Sequence, residues 1–139
     1  MLRRSRGGKT ALLPTLWPKL KLIVEIDWRM NETALYADYF LPAAQHYEKI
    51  AFALPGPHVM NLTFSDQAAT PAGESRNEWD LYSALLAKIA ERAAARGLPE
   101  IRDQFGNTKR YDSLVNEYTL NGYYATSEKL ADEQVRDSA

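Results

Sequence analysis

Asp27 closes an apolar run, and Trp28, Arg29, Met30, Asn31 and Thr33 follow it within six positions. In open α/β sheets a cofactor or substrate binds beyond the carboxyl ends of the strands, which is where this segment falls if the run is a strand. Asn31 or Thr33 can cap a short helix over 34–37, and the backbone N–H groups of its first turn could receive a phosphate or a carboxylate. Glu25, Asp27 and Asp38 could also form an acid/base set, although nothing in the spacing fixes their separation. A purely local role for Asp27, as a carboxylate at a helix start, stays open beside ligand binding.

Other strings carry less. Gly8-Lys9-Thr10 resembles the end of a phosphate-binding loop, but the full spacing requires glycine at position 3, where Arg3 stands. His46 and His58 are the two histidines and have no carboxylate at zinc-ligand spacing, so they read as loop or packing residues. Asn31-Glu32-Thr33 and Asn61-Leu62-Thr63 match the glycosylation tripeptide only as chance triplets do. Tyr82, Tyr111, Tyr118, Tyr123 and Tyr124 lack the basic stripe that a base-stacking surface needs, and they read as packing residues.

The elements that would hold these residues follow from periodicity. Residues 20–26 are β-branched and almost continuously apolar, the pattern of a strand buried on both faces. Residues 39–41 read as a second strand completing a β-α-β step, and 43–50 as a polar loop or short helix. Pro55, Gly56 and Pro57 force a turn within 53–58, and 59–64 alternates like a half-buried strand. Ser75 and Glu78 are spaced as a capping box ahead of a helix carrying Trp79, Tyr82, Leu85, Leu86, Ile89, Ala90 and Ala93, which Gly97 and Pro99 end. A turn at Gly106-Asn107 leads to a helical face of Tyr111, Leu114, Val115 and Tyr118. A last amphipathic helix starts at Thr126 or Ser127 and carries Leu130, Ala131 and Val135. Residues 9–18, twice broken by proline, read as a short helix or turn.

At 139 residues, with 45% hydrophobic and 25% charged, the composition is that of one globular domain. No run reaches the roughly 18 apolar residues of a membrane helix, so direct membrane insertion is not expected. Seventeen basic against eighteen acidic residues give a net charge of -1, which argues against nucleic acid despite Arg3, Arg4, Arg6 and Lys9. The absence of cysteine excludes disulfides, thiolate metal sites and cysteine nucleophiles from these residues. Pro14 and Pro18 interrupt the apolar residues after Arg3-Arg4, so an export signal is not expected. A doubly covered strand needs neighbours on both edges and helices on both faces. Either a small mixed sheet supplies them, or the sequence is a piece of a larger α/β protein.

Three strings, RRSRGG (3–8), LWPKLKLIVEIDWRMNETALYADYFLPAAQHYEK (16–49) and PAGESRNEWDLYSALLAKI (71–89), resemble the catalytic subunits of the dimethyl sulfoxide reductase family of molybdenum enzymes. The branch is that of respiratory nitrate reductase, ethylbenzene dehydrogenase and steroid side-chain dehydrogenases. GNTKRYDSLVNEYTLNG (106–122) and HVMNLTFSD (58–66) incline toward its dehydrogenase side.

The resemblance implies an α/β fragment of a larger multidomain molybdoenzyme: a partial Rossmann-like layer with a few short strands followed by helices. Residues 1–95 would belong to the domain that binds molybdopterin guanine dinucleotide, and 96–139 to a helical extension. It further implies a bis(molybdopterin guanine dinucleotide) molybdenum cofactor and an iron-sulfur cluster outside this segment. The implied partners are the rest of the catalytic subunit and an iron-sulfur electron-transfer subunit, in a periplasmic or membrane-associated cytoplasmic complex of a prokaryote. Neither the cluster cysteines nor the aspartate that ligates molybdenum falls in the matched segment, so no catalytic residue is assigned and the segment alone is expected to be inactive. The cofactor-binding residues it implies are Asp27, Arg29, Asn31, Thr33, Glu48 and Lys49. Asp27 would meet guanine, Arg29 the diphosphate, and Asn31 or Thr33 the sugar or phosphate; Glu48-Lys49 matches the family's Glu-Lys pair. The alternative is a stand-alone α/β binding or interaction module without catalysis.

Overall fold

The computed structural model describes residues 8–53 and 63–137. The basic start with Arg3, Arg4 and Arg6, the turn expected at 53–58, His58, Asn61 and most of the strand expected at 59–64 lie wholly or largely outside the described residues. The chain is α/β and forms two compact units: Met1–Gln45 with Pro71–Arg76, and His46–Thr70 with Asn77–Ala139.

In the first unit, helix α1 (Gly8–Thr15) carries Pro14 and is followed by a 3-10 turn at Trp17–Lys19. Two contacts fasten this arm. The Trp17 indole N–H donates to the Tyr36 carbonyl at 2.8 Å, and Lys9 pairs with Glu32 at 3.3 Å while lying 4.9 Å from the centre of the Tyr36 ring. Lys9 is thus engaged by its own chain. Strand β1 (Val24–Asp27) runs parallel to β2 (Tyr39–Pro42), joined through a 3-10 turn at Ala34–Tyr36. This is the expected β-α-β step, with the crossover reduced to one turn. Pro42 and Ala44 then exchange backbone hydrogen bonds with Arg76, which ties the 71–76 segment to the end of β2. The buried residues Thr33, Ala34, Ala43 and Ala44 form the small core here.

One expectation is corrected. The strand predicted over 20–26 is only Val24–Asp27, and it is not buried on both faces: Leu22 is 59% and Val24 42% exposed. The physical reason is partnership. Among the described residues β1 pairs with β2 alone, while the remaining strands pair with one another.

In the second unit, β3 (Ala51–Ala53) pairs antiparallel with β4 (Thr63–Ser65). Helix α2 (Glu78–Ala95) begins at Asn77, whose side chain accepts from the Trp79 N–H. The capping box expected from Ser75 is therefore displaced: Ser75 donates its hydroxyl to the Ala72 carbonyl, and Asn77 takes the cap. At the other end Gly97, with φ +66°, turns the chain so that its N–H and that of Leu98 satisfy the Ala94 and Ala93 carbonyls. The α2 stripe is only partly covered, with Ala93 buried and Tyr82, Leu85 and Ile89 exposed.

A hairpin of β5 (Glu100–Arg102) and β6 (Thr108–Arg110) follows, where only a turn was expected. Helix α3 (Leu114–Tyr118) and helix α4 (Ser127–Asp137) come next, near their expected positions. The Trp79 and Tyr118 rings stack at 4.3 Å between centroids.

The hairpin loop predicts its own pH response. Asp103 accepts from the Asn107 side chain at 3.1 Å and from the Phe105 and Asn107 backbone N–H groups at 2.9 Å each. The Asn107 side chain foremost holds its carboxyl below the ordinary aspartate range. A depressed folded-state pKa means the contribution is present above the ordinary value and lost as pH falls through the lower one. Amide exchange at Phe105 and Asn107 is expected to accelerate over that acidic interval, and Asp103→Asn should abolish the transition.

Candidate functional site

The candidate site is built on the carboxyl end of β1. Parallel register sets Glu25 opposite Phe40 and Asp27 opposite Pro42, and the Asp27 carbonyl accepts from the Ala43 N–H at 3.0 Å. Positions two apart on a strand share a face, so Glu25 and Asp27 send their carboxylates the same way. Both are partly buried.

Beyond Asp27 the chain folds back on its own side chains. Asp27 Oδ1 accepts from the Arg29 N–H at 3.2 Å. The Asn31 amide nitrogen donates to Asp27 Oδ2 at 2.7 Å and to Glu25 Oε1 at 2.9 Å. Its oxygen accepts from the Thr33 and Ala34 N–H groups at 2.7 and 3.1 Å, and the Asn31 carbonyl accepts from Leu35 N–H at 3.3 Å. The expectation that these N–H groups could receive a phosphate is corrected. Asn31 takes all three, so its own oxygens stand where an anion would have to bind.

The outer part of the loop is open. Trp28 is 51% and Met30 63% exposed, and the Arg29 guanidinium carbon lies 5.2 Å from the centre of the Trp28 ring. Thr33 is buried at the base of the loop. Asp38 stands apart from the pair: its Oδ2 accepts from the Ile23 N–H at 2.8 Å, ahead of the first residue of β1. The three-carboxylate acid/base set is therefore reduced to Glu25 and Asp27. Glu25 was singled out in the sequence only as one of three carboxylates; its bridge to Asp27 through the Asn31 amide was not legible there.

Asp27, Arg29, Asn31 and Thr33 thus gather in one loop of the first unit. Glu48 and Lys49 belong to the second unit, in the segment before β3. Lys49 is largely buried and ion-pairs with Glu78, the first residue of α2. Both line a cavity of about 350 Å³ together with His46, Trp79, Tyr82 and Tyr118. Burial pushes the Tyr118 phenol up, with Tyr82 adding to the shift. The Trp79 indole N–H is buried without a hydrogen-bond partner among the described residues. No group of three metal-ligating side chains occurs among the described residues.

Comparison with known proteins bears on this geometry. A family model described as molybdopterin oxidoreductase matches residues 10–88, a span that contains β1, the Asp27–Asn31 loop, Glu48, Lys49 and the first part of α2. The chain is 38% identical over 112 residues to the respiratory nitrate reductase subunit alpha of Haloferax mediterranei, covering 80% of this chain and 11% of that protein. It is 33% identical over 139 residues to the perchlorate reductase subunit alpha of Dechloromonas aromatica, covering 99% of this chain and 15% of that protein. It is 37% identical over 125 residues to the dimethylsulfide dehydrogenase subunit alpha of Rhodovulum sulfidophilum, covering 89% of this chain and 13% of that protein. The chain therefore spans between about a tenth and a sixth of the length of these relatives.

Proposed function

Because the chain belongs to the molybdopterin oxidoreductase family, we propose that it is a cofactor-binding segment of a catalytic subunit, presenting the carboxyl end of β1 to the guanosine portion of a bis(molybdopterin guanine dinucleotide) cofactor. The observation that carries the reading is the Asp27 carboxylate, held by Asn31 and the Arg29 N–H at the strand end. Each of its oxygens accepts one internal hydrogen bond and keeps acceptor capacity. A guanine edge presents two adjacent donors, N1–H and the N2 amine, and a carboxylate is the complementary acceptor. The residues present fit that group.

Arg29, in the open part of the loop, supplies the cation for a diphosphate, and Thr33 supports the loop from beneath. Glu48 and Lys49 of the second unit are proposed as cofactor contacts on the strength of their match to the family's Glu-Lys pair alone. When bound, the molybdenum centre supplies the redox chemistry; the side chains named here bind and orient. Residues 1–95 hold the cofactor-binding part and 96–139 the extension from it. The exposed β1 and the lengths of the relatives support a larger subunit whose remainder supplies the missing neighbours and an iron-sulfur cluster, with electrons passing to an iron-sulfur partner subunit. The relatives' names cover oxyanion reduction and dimethylsulfide dehydrogenation, and the whole subunit is read as either nitrate reductase-like or ethylbenzene or steroid dehydrogenase-like, the strings at 58–66 and 106–122 inclining slightly to the dehydrogenase side.

Titration of the chain with GDP, observed by NMR, tests the reading. GDP should perturb the backbone resonances of residues 25–34 at concentrations where ADP leaves them unmoved. Equal responses to the two nucleotides, or a response elsewhere alone, would overturn it.

A further inference from the structure

We infer that Asn31 is a positioning residue that fixes Glu25 and Asp27 as a two-carboxylate receptor for the guanine edge, and that it does not itself touch the nucleotide. The inference rests on the reading of the β1 end as a guanosine site. It follows from the capacity of one amide group. An asparagine side chain offers two N–H donors and two acceptor lone pairs. In this structure both donors are used, on Glu25 Oε1 at 2.9 Å and Asp27 Oδ2 at 2.7 Å. Both lone pairs are used as well, on the N–H groups of Thr33 at 2.7 Å and Ala34 at 3.1 Å. A sugar hydroxyl or a phosphate could bind Asn31 only by displacing one of these four, and the partner lost would be a partly buried polar group.

The same four bonds give Asn31 its leverage. Two like charges on one strand face repel, and in the absence of a bridge their side chains would rotate apart. The amide nitrogen draws one oxygen of each toward a common point, and the backbone N–H groups at the amide oxygen lock its rotation. Both carboxylates are thereby oriented from one rigid origin, leaving the second oxygen of Glu25 and the remaining acceptor capacity of Asp27 for a ligand. A base with two adjacent donors uses such a pair fully, whereas hypoxanthine, which lacks the exocyclic amine, uses it in part.

Threonine is the informative replacement. Its hydroxyl can still cap the 34–36 turn by accepting, but it has a single hydrogen to donate and can bridge only one carboxylate. In the full chain, wild type is expected to bind GDP more tightly than IDP. Asn31→Thr should lower GDP affinity about five- to tenfold with little change for IDP, while the melting temperature falls by only a few degrees and the chain stays folded. In wild type the Asn31 side-chain amide protons should hold their shifts during GDP titration while the Glu25 and Asp27 carboxyl carbons move. Equal losses for GDP and IDP in Asn31→Thr, or a shift of the Asn31 amide as large as those of the carboxyl carbons, would overturn the positioning role while leaving the guanosine site standing. Wild-type binding that fails to distinguish GDP from ADP would overturn both.

Discussion

Asp27→Asn should weaken guanosine nucleotide binding by roughly 30- to 150-fold while leaving the chain folded. The fold survives because the asparagine oxygen can still accept from the Asn31 amide, the closest hydrogen bond Asp27 makes. The other position of the side chain changes from acceptor to donor. It then faces the Arg29 N–H and a base edge, both of which donate, and a charge-assisted hydrogen bond to the base is lost; for the nucleotide these are worth about 2–3 kcal/mol, and each 1.4 kcal/mol is about tenfold in affinity. The measurement is GDP affinity of the chain, paired with guanine released by acid hydrolysis of a full-length catalytic subunit bearing the substitution. Retention of cofactor at wild-type levels would remove Asp27 from the site.

Ala131→Asp should cost about 3 kcal/mol or more, the largest loss of stability expected from a single change in the second unit. Ala131 is 2% exposed on α4 and lines the cavity with Trp79 and Tyr118. A carboxylate there loses its hydration, and the cationic side chain lining the same cavity, Lys49, is already paired with Glu78. The midpoint of thermal unfolding, followed by circular dichroism, should fall by roughly 10 °C. Ala131→Ser, which adds one small polar group, should fall much less. A drop of only a degree or two for the aspartate variant would mean that α4 yields without loss of packing.

The parts of the fold that sequence reading captured share a physical cause. Residues 78–95 carry an apolar stripe at helical spacing closed by Gly97, and periodicity over eighteen residues outweighs any local ambiguity. The β-α-β step around Asp27 was readable because β-branched residues, a capping asparagine and a short apolar strand occur in order. The β5–β6 hairpin was not, since each strand has only three residues, Ile101 is the one apolar side chain among the six, and all six are exposed. Nothing there alternates between core and solvent; only the glycine-asparagine turn leaves a trace. The cap of α2 moved from Ser75 to Asn77 because both residue types cap well, and spacing to Glu78 alone does not decide between them.

The candidate site divides similarly. The location of Asp27 at a strand end follows from the run before it. Whether Asn31 faces a ligand or its own chain does not, because the same amide serves both purposes and the choice depends on where Glu25 and the Thr33 and Ala34 N–H groups come to lie. The pairing of Lys49 with Glu78 is likewise not legible in the sequence, because no spacing rule links the two positions.

The open flank of β1 also governs colloidal behaviour. Leu22, Val24, Leu35 and Tyr39 leave greasy area facing water, while a net charge of -1 and an isoelectric point near 6.1 supply little mutual repulsion. Concentrated solutions of the chain will therefore be most prone to cloudiness in mildly acidic buffer, and will clear as alkalinity raises the negative charge on every copy.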